Sequence, residues 1–142
     1  MDCLKCLLKG LESNRSLNEL DLRHNNLGDD LFFLVCRLLE VHPDLLAVWL
    51  DGNDATELGW HAMNTTLQHS NRTLQHIDFP WEDFASRFKA LASPTEVGVQ
   101  DAAWARMHKQ VQEVMHQLYI NRCQLTQTFT SSIITIKQRS PE

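Results

Sequence analysis

A recurring frame of apolar residues constrains this chain more than any other feature. Each frame begins with leucine, has apolar residues at its fourth and sixth positions, and has a polar residue at its ninth. The frames begin at Leu17, Leu45 and Leu74, so successive frames start 28 and 29 residues apart. A fixed period of this size predicts a stack of similar units, each burying an apolar face against the next.

The periodicity changes within each unit. Leu20-x-Leu22 and Val48-x-Leu50 alternate with period two, which predicts short strands. The segments that follow have helical spacing, so one apolar stripe is expected to face the strands. The stripe of the first unit consists of Leu31, Leu34, Val35, Leu38 and Leu39, and the weaker stripe of the second consists of Leu58, Ala62 and Leu67.

From about residue 3 to residue 84 the sequence resembles the ribonuclease-inhibitor class of leucine-rich repeats. The marks are Leu27-Gly28-Asp29 and the linkers Asn14-Arg15-Ser16-Leu17 and Asn71-Arg72-Thr73-Leu74. The resemblance implies that Asn25 and Asn53 satisfy backbone groups where the chain turns out of a strand. It also implies an α/β fold, a short leucine-rich-repeat solenoid with parallel strands on its concave face and helices on its convex face.

The third frame departs from the pattern. Glu82 stands where asparagine is expected, and Pro80-Trp81 ends the predicted strand, although proline cannot donate to a strand ladder. We therefore expect the array to close here, with aromatic residues covering the last unit: Phe79, Trp81, Phe84 and Phe88. The predicted organisation is a repeat region at 1–92, a long amphipathic helix at 93–125 that closes the solenoid, and a flexible tail at 126–142.

Two features predict the C-terminal helix. Ser93-Pro94-Thr95-Glu96 has the form of a capping box with proline at the first helical position. Apolar residues then recur three and four positions apart: Trp104, Met107, Val111, Val114 and Leu118. Such a heptad-like seam packs against another helix or against the end of the solenoid, so it serves either self-association or capping.

The candidate binding surface consists of the side chains between the inward-pointing strand residues. Strand side chains alternate between the two faces, so these neighbours are expected to point outward. The candidates are Glu19, Asp21 and Arg23, then Trp49 and Asp51, then His76 and Asp78. Stacking the strands predicts a row of Asp21, Trp49 and Asp78. Trp49 either contacts a separate partner, packs against the C-terminal helix or a neighbouring repeat, or is simply exposed.

Charge narrows the class of partner. The net charge is −5, divided into −8 for residues 1–84 and +3 for residues 85–142. An acidic repeat region repels phosphates, so we expect a basic or mixed-charge protein partner rather than nucleic acid. The chain contains no apolar run long enough for a membrane span and no secretory signal, which predicts a cytoplasmic protein with reduced cysteines.

Catalytic and metal-binding patterns are weak in this sequence. Cys3-x-x-Cys6 lacks the second ligand pair that a structural zinc site needs, so both cysteines are interpreted as packing residues of a helix. Cys36 lies in a predicted repeat helix with no nucleophile elbow nearby. We predict no metal, no cofactor and no catalytic residue, and hence a protein that is not an enzyme.

Two hypotheses follow for function. The first is a non-catalytic protein-interaction module that binds a partner through an acidic concave face centred on Trp49. The alternative is a structural or assembly protein that self-associates, as a homodimer, through the seam of the C-terminal helix.

Overall fold

The computed structural model describes the backbone of residues 2–91 and 97–138 and the side chains of residues 3–86 and 102–128. Helices and strands alternate through the first two-thirds of the chain, and a fifth helix follows. In chain order the elements are α1 (Asp2–Leu11), β1 (Glu19–Asp21), α2 (Asp29–Val41), β2 (Ala47–Trp49), α3 (Glu57–His69), β3 (His76–Ile77), α4 (Trp81–Leu91) and α5 (Val97–Gln138). The strands form one parallel sheet in the order β1-β2-β3.

The repeated frame sets the register of this sheet. Leu20 pairs with Val48, and Val48 pairs with Ile77, so the fourth residues of the three frames lie side by side. Two asparagines fix the turns that follow the strands. The Nδ2 atom of Asn53 donates to the carbonyls of Leu22 and Leu50 at 2.9 and 2.7 Å, and Asn25 Nδ2 donates to Leu22 at 2.8 Å. These bonds confirm the role that the resemblance implied for both asparagines.

The predicted fold class, a leucine-rich-repeat solenoid closed by a C-terminal helix, is wrong. The described chain is mainly helical, with five helices and a small open sheet whose strands have three, three and two residues. The alternating pattern extends over only a few residues in each frame before the turn begins, so little strand can form. Residues 97–138 form a single helix of 42 residues.

Helix α2 supplies much of the core. Leu31, Val35, Leu38 and Leu39 are buried, as the helical spacing predicted, whereas Leu34 is only partly buried. Complete burial of one such side chain contributes about 1.5–3 kcal/mol. The Phe32 ring adds a contact with Trp60 of α3, at 5.0 Å between ring centroids.

Helix α3 buries Leu67 and packs Ala62 against the core, as predicted, but Leu58 departs from the predicted stripe. Leu58 is 60% exposed, whereas Trp60 and Met63 are buried. The reason lies at the start of the helix, where the Asp29 carboxylate accepts hydrogen bonds from the backbone N–H groups of Thr56 and Gly59 at 2.7 and 3.1 Å. This anchor brings Gly59 against α2, since a Cβ atom there would lie only 2.6 Å from Asp29 Oδ1. Leu58 is consequently turned towards solvent.

Helix α5 packs along α3 and reaches the sheet. Its Asn121 side chain is fully buried and donates to the Leu74 carbonyl, just before β3, at 2.9 Å. The helix continues to Gln138, well beyond residue 125 where it was predicted to end. The predicted capping box at 93–96 lies outside the described residues. Across the described segments, no helix combines the length and apolar character needed to cross a membrane.

The aromatic residues after β3 do not all cover the last unit. Phe84 is buried and contacts Phe79 at 5.2 Å. Trp81 instead begins α4 and is 70% exposed, so the prediction that it covers the core is wrong. The side chain of Phe88 lies outside the described residues.

Candidate protein-binding face

The strand register brings several predicted surface residues together. Asp21 pairs with Trp49 in adjacent strands, and Ala47 lies between Glu19 and His76 in the neighbouring row. Glu19, Asp21 and His76 are exposed, whereas Ala47 is buried. We call the surface formed by Glu19, Asp21, Arg23, Trp49 and His76 the strand face.

Trp49 is partly buried at the centre of the strand face. Its indole lies next to the imidazole of His76, with ring centroids 5.4 Å apart and planes inclined by 52°. This contact is packing against a neighbouring strand, one of the arrangements that the sequence left open. The remaining accessible part of the indole is available to a second molecule.

Asp21 and Arg23 neutralise each other on this face. The Arg23 guanidinium donates from Nε to Asp21 Oδ1 at 3.0 Å and from Nη2 to Oδ2 at 2.7 Å. This side-chain hydrogen bonding lowers the pKa of Asp21 from 3.8 to about 2 and raises the pKa of Arg23. The pair keeps both charges but presents them as a dipole, which makes the face mixed in charge rather than uniformly acidic.

The Asp78 carboxylate binds backbone N–H groups just after the end of β2. Asp78 follows β3, and its two carboxylate oxygens accept hydrogen bonds from the N–H groups of Leu50 and Asp51 at 2.7 and 3.1 Å. The predicted row therefore contains Asp21 and Trp49 in register, while the carboxylate of Asp78 is directed to the backbone after β2.

The Asp51 carboxylate, in the loop after β2, also accepts hydrogen bonds from backbone N–H groups. Its Oδ1 atom accepts hydrogen bonds from the N–H groups of Gly52, Glu82 and Asp83 at 2.9, 3.0 and 3.3 Å. These bonds join the loop after β2 to the start of α4. Two of the four predicted surface carboxylates thus stabilise loops, a use that residue type alone does not reveal.

The five seam residues of α5 face the interior of the same chain. Met107, Val111, Val114 and Leu118 are buried. Trp104 is partly buried and stacks on His108, with ring centroids 5.1 Å apart and planes inclined by 12°.

Polar contacts between α3 and α5 flank this apolar seam. Asn64 Nδ2 donates to Glu113 at 2.6 Å, and Arg106 pairs with Glu57. A seam used in this way leaves little of its apolar surface for contact with a second copy.

The four thiols lie in different environments. Cys3 and Cys6 are both exposed on α1, so interpreting them as packing residues was wrong. Burial raises the pKa of the Cys36 thiol to about 11, which keeps it protonated and unreactive near neutral pH. Within residues 3–86 and 102–128, no three His, Cys, Asp or Glu side chains converge in a way that could hold a metal ion.

Three features of the structure were not predicted from the sequence. Asp83 is a buried carboxylate beside the loop after β2. His42 is a buried imidazole, and neither of its ring nitrogens has a hydrogen-bond partner among the described residues. Trp81 is exposed. The period could have drawn attention to His42, because this residue occupies the position that is asparagine in the other two frames, Asn14 and Asn71.

Comparison with known proteins gives a distant similarity. No family model matches the chain. Over 98 residues, 69% of this chain, the sequence is 28% identical to the human protein named capping protein, Arp2/3 and myosin-I linker protein 3, and the rat and mouse proteins of that name match equally. The match spans only 7% of the length of these relatives. It gives partial support to a leucine-rich-repeat-like sequence but not to the ribonuclease-inhibitor class in particular.

Proposed function

We propose that this chain is a non-catalytic protein-interaction module that binds its partner through the strand face, with Trp49 as the central contact. The relatives support the general class, because their name describes a protein that links capping protein, Arp2/3 and myosin-I. Since the chain corresponds to a small part of those proteins, binding to any of the three is itself part of the proposal.

The observation that carries this proposal is the partly accessible indole of Trp49 against His76. Tryptophan is enriched among the residues that dominate binding energy, and those residues cluster near the centre of an interface. The contact with His76 and the sheet register restrict the indole, so little conformational entropy is lost when a partner covers it.

The charges of the strand face favour a protein partner of mixed charge. Glu19 and Asp21 are acidic, and Arg23 is basic and lies beside Asp21. A partner with one or more basic groups near an apolar patch would complement this arrangement. Complementary charges mainly increase the association rate and fix the orientation of binding.

The test uses purified capping protein, Arp2/3 complex and a myosin-I as separate probes, with the chain immobilised and the Kd measured by interferometry. If Trp49 is the central contact, Trp49→Ala weakens binding by about 2 kcal/mol, which corresponds to about 30-fold in Kd. Tyr119→Ala is the matched control, because Tyr119 is an exposed aromatic residue on α5.

Two results would count against the proposal. An unchanged Kd for Trp49→Ala, with binding by the parent chain intact, removes the strand face as the contact. Absence of binding to all three probes removes the partner class suggested by the relatives. Circular dichroism of each variant establishes that a loss of binding is not a loss of folding.

A further inference from the structure

Trp81 is the most exposed large apolar side chain among the described residues. It begins α4, directly after the turn that follows β3, and is 70% exposed. An exposed indole does not gain the hydrophobic stabilisation that burial gives to most tryptophans. Packing within the chain therefore does not explain why a tryptophan occupies this position.

On the side that faces the core, the Trp81 indole packs against other aromatic rings. The ring of Trp81 contacts that of Phe79, with centroids 4.4 Å apart and planes inclined by 48°. Phe79 in turn contacts the buried Phe84, which contacts Trp104 at 5.4 Å. One side of the Trp81 indole is therefore supported by a series of rings that leads into the core.

The backbone around Trp81 is also fixed. The Trp81 N–H donates to the Phe79 carbonyl at 2.8 Å. The next two N–H groups along the chain, those of Glu82 and Asp83, donate to the Asp51 carboxylate. A side chain on so restrained a backbone loses little freedom on binding, which is a property of effective aromatic contacts.

The electrostatic surroundings select the charge of the ligand. The Glu82 side chain is 59% exposed and pairs with His24, with Nδ1 and Oε2 3.0 Å apart. Asp54 is exposed on the adjoining loop, and its N–H donates to Asp83 at 2.8 Å. Together with the net charge of −8 over residues 1–84, these carboxylates repel phosphate-bearing surfaces and attract cations.

We infer that the exposed indole of Trp81 and the neighbouring Glu82 form a recognition site for an arginine side chain carried by an extended segment of a protein partner. A guanidinium stacks on an indole face through cation–π attraction and is more weakly hydrated than an ammonium group, so arginine suits this surface better than lysine. The site consists of different residues from the strand face and does not depend on a partner binding there.

The experiment uses the full chain and an acetylated, amidated octapeptide of alternating glycine and arginine. A second octapeptide replaces each arginine with citrulline, which keeps the shape but removes the charge. The four tryptophans give separate indole N–H resonances in NMR, and the spectrum of Trp81→Phe assigns the one that belongs to Trp81.

The expected result is a saturable shift of the Trp81 resonance with the arginine peptide and at least a tenfold weaker response to the citrulline peptide. Trp81→Ala is expected to weaken binding at least fivefold, and Glu82→Gln is expected to weaken it by a smaller factor. Tyr119→Ala, at an exposed aromatic residue of α5, serves as the control and is expected to bind the peptide like the parent chain.

Three outcomes would overturn the inference. Equal binding of the citrulline peptide would mean that charge is not recognised. An unchanged Kd for Trp81→Ala would mean that the peptide binds elsewhere by general electrostatic attraction. No shift at millimolar peptide would mean that there is no such site. None of these outcomes bears on the strand face, which is tested with Trp49→Ala and protein probes.

Discussion

The buried Asn121 side chain donates a hydrogen bond from Nδ2 to the Leu74 carbonyl at 2.9 Å, linking α5 to the segment just before β3. In Asn121→Ala the Leu74 carbonyl loses this donor in a region shielded from water. We expect the free energy of unfolding to fall by about 1–3 kcal/mol, the penalty for leaving a buried polar group unpaired. Urea denaturation measures the change, with Gln124→Ala, an exposed position of α5, as the control. Equal losses for the two variants would contradict the importance of this bond.

Asp83 predicts a pH dependence of stability. Asp83 is only 2% exposed. This burial, with a smaller contribution from repulsion by the Asp51 carboxylate, raises the pKa of the Asp83 carboxyl from 3.8 to about 6. The folded state therefore holds the proton more tightly than the unfolded state does. The resulting stabilisation is complete below about pH 3.8 and is lost as the pH rises through about 6.

Asp83→Asn is expected to remove this dependence, because the amide carries no charge while its Oδ1 atom can still accept the hydrogen bond that Asp54 donates to Asp83. We expect the variant to resemble the parent chain at pH 4 and to exceed its stability by about 1–3 kcal/mol at pH 8. Denaturation curves at pH 4, 6 and 8 test this. A constant difference between the two proteins across that range would be inconsistent with a raised pKa.

His42 occupies a position at which the other two frames have an asparagine that binds nearby backbone N–H groups. The Oδ1 atom of Asn71 accepts hydrogen bonds from Thr73 and Leu74 N–H at 3.1 and 2.9 Å, and Asn14 makes the same pair of bonds with the residues two and three positions after it. The buried His42 imidazole has no such bonds. We expect His42→Asn to raise the free energy of unfolding by about 1 kcal/mol.

Thermal denaturation of His42→Asn beside His42→Ala tests this expectation. Both substitutions shorten the side chain, but only asparagine supplies an acceptor. If the asparagine variant were no more stable than the alanine variant, the equivalence of the three positions would not hold energetically.

A side chain at Gly52 is expected to strain the backbone and to displace the His24 imidazole. The Gly52 φ of +75° is unfavourable for other residues, and a Cβ atom there would lie 2.6 Å from His24 Nδ1. We predict that Gly52→Ala destabilises the fold by more than about 1 kcal/mol. The matched control is Gly10→Ala in α1, where a Cβ atom meets no neighbour within 4 Å. That control should be neutral or stabilising by up to about 1 kcal/mol, and equivalent effects at both glycines would refute the prediction.

The period of the sequence was sufficient to locate strands and helices but not to establish the overall architecture. It predicted the alignment of Leu20 with Val48, and the family resemblance implied the turns that Asn25 and Asn53 fix. The strands are as short as the alternation predicted, but the period did not show that helices dominate the described chain. It also missed the orientation of α3, which depends on the contact between Asp29 and Gly59 from two different units.

The candidate site was partly predictable for the same reason. Strand alternation correctly predicted that Glu19 and His76 would be exposed. It could not predict that Asp78 bonds to the N–H groups after β2, because that contact depends on the fold of a loop rather than on alternation. The exposure of Trp81 depends on where α4 begins, and helix boundaries are difficult to predict from sequence.

The unequal environments of the cysteines make the chain suitable for selective chemical labelling. Cys3 and Cys6 are accessible on α1, whereas Cys36 is buried and its pKa is about 11. A maleimide reagent near pH 7 should therefore modify Cys3 and Cys6 and spare Cys36. Because Cys123 on α5 is partly accessible, Cys123→Ser confines the label to α1. Fluorophores or surface tethers attached there would leave Trp49 and Trp81 chemically unaltered, so either indole could be titrated on an oriented protein.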